Sequence, residues 1–292
     1  VHVARTWNPA HKIDLAGIYA NKEQFAEDGW TFDYVFDTPR QTRECLQMVA
    51  RAVVGVEVEQ GGKICLVLDR ANDAPAMSFS QYNIRRNTLA LEYAFPDEQT
   101  ADGVRGTYID VNSWKPVPVT VAFDDSPQNN VSTIGTEGIT NREQLRHMLW
   151  NRIRGSKYRR RGISFGTEMD GGTLLYGDTL LVSHDLPSWG QAAEVIAWDA
   201  VARTMTLSET MEFTADATHS IAIRDRVGLA AGPFEATDGG TDDAGRSLVI
   251  VGAGDLPDIL TGGDAKRTIV QFGPNDAYAM RLKLILVDPQ DE

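Results

Sequence analysis

At 292 residues, 42% hydrophobic and 24% charged, the chain is long enough to build two or three modest cores. Its net charge of −13, from 41 acidic against 28 basic side chains, favours solubility and argues against a dedicated nucleic-acid binder, whose footprint is a positive surface. No apolar run approaches the roughly 20 residues that span a bilayer, and the opening residues do not read as a signal peptide.

The first residue is Val, so the chain reads as a piece of something longer or as a processed product. Ile13, Leu15, Ile18 and Tyr19 mark a short helix. Residues 31–36 (TFDYVF) alternate, with Phe32, Tyr34 and Phe36 on one face of a half-buried strand. Thr38-Pro39-Arg40-Gln41 reads as a capping box with Pro at the first helical position, and Leu46, Val49, Ala50 and Val53 give that helix one apolar stripe. VEVEQGGKICLVLD is two strands around Gly61-Gly62, whose freedom at positive φ suits a tight hairpin turn. Cys45 and Cys65 fall on the predicted helix and strand without metal-ligand spacing; they read as free thiols of a reducing cytosol rather than a disulfide staple.

Residues 71–86 read as a polar loop, and TLALEYAF, GTYIDV and PVPVTVAF as the strands that follow. A second capping box spans residues 140–143. Leu145, Met148, Leu149 and Ile153 form a helical stripe that Gly155 can terminate. Past Gly177-Asp178 come TLLVS, AAEVIAWD, RTMTLSE, HSIAIRD, SLVIVG, RTIVQFG and AMRLKLILV, short strands that predict a small antiparallel barrel or sandwich. The acidic, Gly-rich stretches 235–245 and 254–264 read as surface loops. The expected fold class is α+β, mostly antiparallel β, in three domains. These are a small α/β domain over 1–76, a β domain over 77–176 with flanking helix 141–154, and a β-barrel or sandwich over 177–292.

Several motifs suggest chemistry, and each has a plainer reading. Gly162-Ile163-Ser164-Phe165-Gly166 matches the G-x-S-x-G elbow of esterases, which works only at a strained strand-to-helix turn. No helix starts after Gly166, so Ser164 reads as a solvent-facing strand serine; His184 and His219 are the histidines downstream that could complete a triad. Residues 248–257 (LVIVGAGDLP) resemble a dinucleotide-binding turn, but Pro257 replaces the third glycine and too little chain follows for a βαβ unit. Arg152, Arg154, Lys157, Arg159, Arg160 and Arg161 form a dense basic run that could meet phosphates. With only Tyr158 interleaved it reads as a solvated face or a salt-bridged subunit contact, and at a helix C-terminus cations also complement the dipole. Asp238, Asp242 and Asp243 lack the spacing of a calcium loop, and His2, His11, His147, His184 and His219 are too scattered for zinc. Paired carboxylates for glycoside hydrolysis stay open among 41 acids, though nothing selects a pair. No catalytic, cofactor-binding or metal-binding residue is assigned, and no cofactor is expected.

The order and spacing of several segments resemble the tail-tip hub proteins of long-tailed bacteriophages, the family that includes the lambda-type host-specificity protein. The elements of residues 11–69, ending in the hairpin GGKICLVLDR, resemble that family's small α/β domain, and RRNTLALEYAFPD resembles one of its strands. Gly138-Ile139-Thr140-Asn141-Arg142 followed by Gln144 is similar to its helix opening. Leu175-Tyr176-Gly177-Asp178 is similar to its entry into a β-barrel, and EVIAWDAVARTMTLSE to the barrel hairpin that follows. Tyr176 stands where the family often has Pro, and Asn141 and Leu145 replace the usual Ser and Ala. The chain also stops at DPQDE, before the family's last barrel strand, as a truncated member would.

The resemblance implies a non-enzymatic virion protein whose middle domain is tube-like. It implies a homotrimer that closes the tail tube and contacts the distal tail ring, other tail-tip proteins and the tape-measure protein. The host receptor would be engaged indirectly, with no specific nucleic acid bound and no membrane inserted by this segment. Acidic loops near an inner channel would keep passing DNA from sticking. A hydrolase, using Ser164 or unassigned carboxylates, and a receptor-binding adhesin are the alternatives.

Overall fold

The computed structural model describes residues 12–70, 74–97, 100–240, 245–252, 254–263, 265–275 and 277–288. Helices α1 (Leu15–Ala20), α2 (Lys22–Glu27) and α3 (Thr42–Ala52) precede the hairpin strands β1 (Gly55–Gln60) and β2 (Lys63–Leu68). Strands β3 (Met77–Phe79), β4 (Ala90–Tyr93), β5 (Gly103–Asp110), β6 (Lys115–Ala122) and β7 (Val131–Thr133) lead to α4 (Arg142–Tyr158). After it come β8 (Arg161–Ser164), a 3-10 turn (Met169–Thr173) and β9 (Thr179–Val182). The remaining strands are β10 (Gln191–Asp199), β11 (Thr204–Leu207), β12 (His219–Arg224), β13 (Ala230–Asp238), β14 (Ser247–Ile250), β15 (Ile269–Pro274) and β16 (Met280–Lys283). The class is α+β and mostly antiparallel β, as expected from the sequence. The chain divides into two units, Val1–Arg70 with Leu91–Ile163 and Ala71–Ala90 with Ser164–Glu292.

In the first unit, α1 starts where the carboxylate of Asp14 accepts from the Gly17 N–H at 3.2 Å. Gly61 and Gly62, at φ +56° and +72°, close the β1–β2 hairpin with the two left-handed residues that a tight turn between twisted strands requires. Residues 31–36 keep the expected alternation, with Phe32, Tyr34 and Phe36 half-buried, but they form no strand. Period two decides which side faces inward; a ladder also needs a free edge, and here single contacts take its place. Asp33 N–H donates to Gly138 O at 2.8 Å, and Gln144 brackets Thr31, accepting from its N–H at 3.1 Å and donating to its carbonyl at 2.9 Å. Gln144, 2% exposed, also donates to Ala52 O at 2.8 Å, so one buried amide ties the extended segment and the end of α3 to α4.

Helix α3 begins after the predicted capping box, with extended Gln41 as its N-cap and no side-chain cap. Arg40 reaches back to the Tyr34 hydroxyl at 3.3 Å, a contact the local pattern does not contain. The buried positions are Cys45, Met48, Ala50 and Ala52, so of the expected stripe only Ala50 is fully buried. In α4 the cap is Asn141, not Thr140. Its side chain accepts from the N–H of Glu143 at 2.9 Å and of Gln144 at 3.4 Å, while Thr140 Oγ1 donates to Asp33. Leu145, Met148, Leu149 and Ile153 are buried as predicted, packing with Val104 and Val121 of β5 and β6. Gly106 in β5 permits that approach, since a Cβ there would lie 2.7 Å from Thr136 Cγ2 and 2.9 Å from Leu145 Cδ1. Gly155 does not end the helix, which runs on to Tyr158.

In the second unit six antiparallel strands close a barrel in the order β10-β11-β14-β13-β12-β15. Alternating side chains fill it: Ala193, Val195, Met205, Leu207, Ile221, Ile223, Leu248, Ile250, Val270 and Phe272 are all at most 2% exposed. Strand β13 was not anticipated, because AAGPFEATD has no apolar alternation and its last residues fall in the stretch read as an acidic loop. Conversely β9 and β16, expected in the barrel, form a separate sheet in the order β16-β9-β3. Its third member, β3, lies in the stretch read as a polar loop; Met77, Ser78 and Phe79 are all buried and β3 runs parallel to β9. Ser78 can be buried because its carbonyl accepts from Arg224 Nε at 3.1 Å and Asn83 Nδ2 at 3.1 Å.

Candidate interaction surface

The serine of the G-x-S-x-G match is exposed at the end of β8. The chain then runs without helix to the 3-10 turn, so the strained strand-to-helix corner that activates such a serine is not built. The two histidines serve elsewhere. His219 is 4% exposed and stacks on Phe272 at 5.2 Å, and its Nε2 accepts from the Thr214 N–H at 2.9 Å. His184 lies against Asp185 at 2.7 Å, and its Nδ1 accepts from the Leu186 N–H at 3.2 Å. The dinucleotide-like segment puts residues 248–250 in β14, and residues 254–260 then line a shallow cleft of about 550 Å3 with Trp198, Ala200 and Arg203 rather than opening a helix.

Cys45 and Cys65 are free; burial, reinforced by Asp14, pushes the Cys65 thiol up and keeps it protonated. Asp242, Asp243, His2 and His11 lie outside the described residues, and so does Ala253. Among the described residues no group of three His, Cys, Asp or Glu gathers as metal ligands, and no helix is long and apolar enough to cross a membrane.

The basic run builds a surface. On the face of α4 opposite its buried stripe, His147, Trp150, Asn151, Arg154, Gly155, Tyr158 and Arg159 line a groove of about 280 Å3. The cations around it differ. Arg159 makes a two-pronged contact with Asp69, at 2.5 and 2.9 Å. Lys157 reaches Asp125 at 3.3 Å and lies 4.1 Å from the centre of the Phe123 ring, and Arg160 donates to Ser156 O at 2.9 Å. Arg154 lies 5.2 Å over the Trp150 ring, while Tyr158 is 68% exposed. Residue order points to the cations, but it gives His147 only as one of the scattered histidines and Gly155 as a helix stop, and it leaves Trp150 aside. Their spacing with Arg154 and Tyr158 repeats at three and four residues on the side away from the stripe, and that was the available signal.

His147 lies 5.0 Å from the Trp30 ring, beneath which Arg70 stacks at 5.6 Å. Burial pushes its pKa below the ordinary 6.5; Asp28 opposes this, and Arg154 and Arg70 add to it. The unfolded chain therefore binds the proton first as pH falls through about 6.5, so this contribution to stability is present above that value and is lost on acidification. The thermal midpoint should thus fall more steeply between about pH 7 and pH 5 in the wild type than in His147→Gln. Equal slopes in a calorimetric titration would contradict this.

A family model described as "Putative phage tail protein" matches residues 41–201, more than half of the chain. A search of curated proteins finds no match. Among solved structures, a chain from the virion of a native gene transfer agent particle is similar at 15% identity and a TM-score of 0.46, over 84% of this chain and 50% of that one. The tail protein from Neisseria meningitidis MC58 is similar at 12% identity and a TM-score of 0.40, over 58% of this chain and 57% of the other. The chain thus spans about half the length of each. On the family match, which covers α3 through the start of the barrel and so takes in the whole of α4, the chain belongs to the phage tail protein family.

Proposed function

We propose that the protein is the hub of a phage tail tip, a homotrimer that closes the tail tube and links it to the receptor-engaging parts. The β4–β8 ribbon carries this reading. Two strands alone are marginal in water, and unpaired edges invite further strands. Here β4 and β8 pair only with each other among the described residues, and the stacked rings of Tyr93 and Phe95, 47% and 83% exposed, stand in solvent. Copies related by rotation would cover such edges through heterologous contacts that close into a ring.

On this reading the partners are the distal tail ring, neighbouring tip proteins and the tape-measure protein, with the host receptor reached indirectly and assembly in the host cytoplasm. The role is structural, in the tail tip of the virion, and not enzymatic. Native mass measurement of the assembly extracted from tails should give three copies, and immunogold labelling should mark the distal end of the tube. One copy, or label along the tube, would sink the reading. Ser164→Ala should leave behaviour toward a panel of esters unchanged; an activity lost with that hydroxyl would restore the hydrolase.

A further inference from the structure

Residues 144–167 contain seven Lys and Arg and no Asp or Glu, in a chain of net charge −13. The segment thus carries +7, and the rest of the chain, with 21 basic and 41 acidic side chains, −20. The neutralisation within the chain is partial. Asp125 and Asp69 take up Lys157 and Arg159, whereas Arg146, Arg152 and Arg154 have no carboxylate partner among the described residues.

Gly155 is the second observation. It sits inside α4, where glycine is less stable than alanine by about 1 kcal/mol. At Gly106 in β5 such a cost goes with a close approach. A Cβ on Gly155 would meet nothing within 4 Å among the described residues, so no contact with them calls for glycine here. Its bare backbone is part of the lining of the groove that also includes Trp150, Arg154 and Tyr158. An empty slot at the helix backbone, lined by two aromatic rings and a guanidinium with no carboxylate partner among the described residues, has the composition of an interface anchor.

We propose that this groove receives an acidic segment of a second copy of the chain. A carboxylate would meet Arg154, and a small or apolar side chain would lie over Gly155 between Trp150 and Tyr158. Charge complementarity selects the occupant. Two bodies of charge −13 repel unless a cation left over on one meets a carboxylate of the other; Arg154 is such a cation beside Gly155, and all 41 carboxylates lie outside residues 144–167. The inference rests on the proposed multimeric hub only in requiring that copies meet side by side.

The test uses the whole chain and sedimentation velocity at ~50 mM and ~500 mM sodium chloride. The wild type should self-associate and weaken at least ~10-fold at the higher salt. Gly155→Leu, which fills the slot, and Arg154→Glu should each weaken association at least ~10-fold at low salt. Gly155→Leu should keep a thermal midpoint at or above the wild type, and Gly155→Ala should raise it, separating lost docking from lost folding. A wild type that stays monomeric to ~100 μM, or variants that associate as the wild type does, would overturn the proposal. Tail incorporation separates the two readings. Variants that trimerise normally refute the groove and leave the hub intact, whereas a wild type that never joins tails refutes the hub. Variants that associate normally but fail to enter tails would assign the groove to a different acidic protein, which also overturns the second-copy occupant.

Discussion

Phe272→Ala is expected to destabilise the barrel by about 3–5 kcal/mol. The ring is fully buried in β15, which pairs with β10 on one side and β12 on the other, opposite Gln191 and Ile221. It packs edge-on against Phe213 at 4.9 Å and face-to-face with the His219 imidazole at 5.2 Å. Truncation removes both aromatic contacts and opens a cavity at the meeting point of three strands, where little can collapse to fill it. Small domains have net stabilities of about 5–15 kcal/mol, so the loss is a large part of the whole. The barrel's thermal midpoint should drop by more than ~10 °C in a calorimetric scan. A drop of less than ~3 °C would mean that the ring does not hold the barrel closed.

Gly190→Ala is expected to cost about 2–5 kcal/mol, from two sources that add. The residue has φ +70°, a conformation disfavoured by any side chain with a Cβ. That Cβ would also point onto the carbonyl of Tyr278, a backbone group that cannot swing aside as a side chain can. Gly190 joins Trp189, which pairs with His184, to the first residue of β10, so the strain falls where the barrel begins. Gly172→Ala is the control: it lies in the 3-10 turn with nothing within 4 Å of its added carbon and should shift stability by no more than ~0.5 kcal/mol. Urea unfolding of the pair decides the matter. If the two variants lie within ~1 kcal/mol of each other, the close approach at Tyr278 is wrong.

Readings that depend on near neighbours held for turns and side-chain period, though not for the helix ends, where Asn141 rather than Thr140 caps α4 and Gly155 does not stop it. The Gly61-Gly62 hairpin needed only two residues free to adopt positive φ between alternating strands, and the α4 stripe only the 3.6 period of Leu145, Met148, Leu149 and Ile153. Strands β10, β11, β12, β14 and β15 were likewise visible as short β-forming runs. Reading failed where the partner lies far along the chain. Met77-Ser78-Phe79 carries no alternation because both faces are buried, and what buries it includes Arg224, 146 residues away. Residues 31–36 alternate as a strand should, yet Gln144, 113 residues on, takes up the groups a neighbouring strand would have met. Strands β9 and β16 have the pattern of barrel strands but pair with each other, and β9 pairs on its other side with β3.

For the candidate surface the division is the same. The basic run and the absence of a reactive serine corner could be read from residue order, since both depend on local chain direction. Which cations stay unneutralised could not, because Asp69 and Asp125 reach Arg159 and Lys157 only through the fold. By itself the sequence determined the class, the hairpin, the long helix, most barrel strands and the charge of the α4 face, all set by side-chain period, turn conformation and composition. Only the tertiary structure decided that β13 completes the barrel, that β9 leaves it for β3, and that Gly155 floors an open groove. Pairing depends on which edges remain free after every other strand is placed, and the space around a residue depends on what does not pack there.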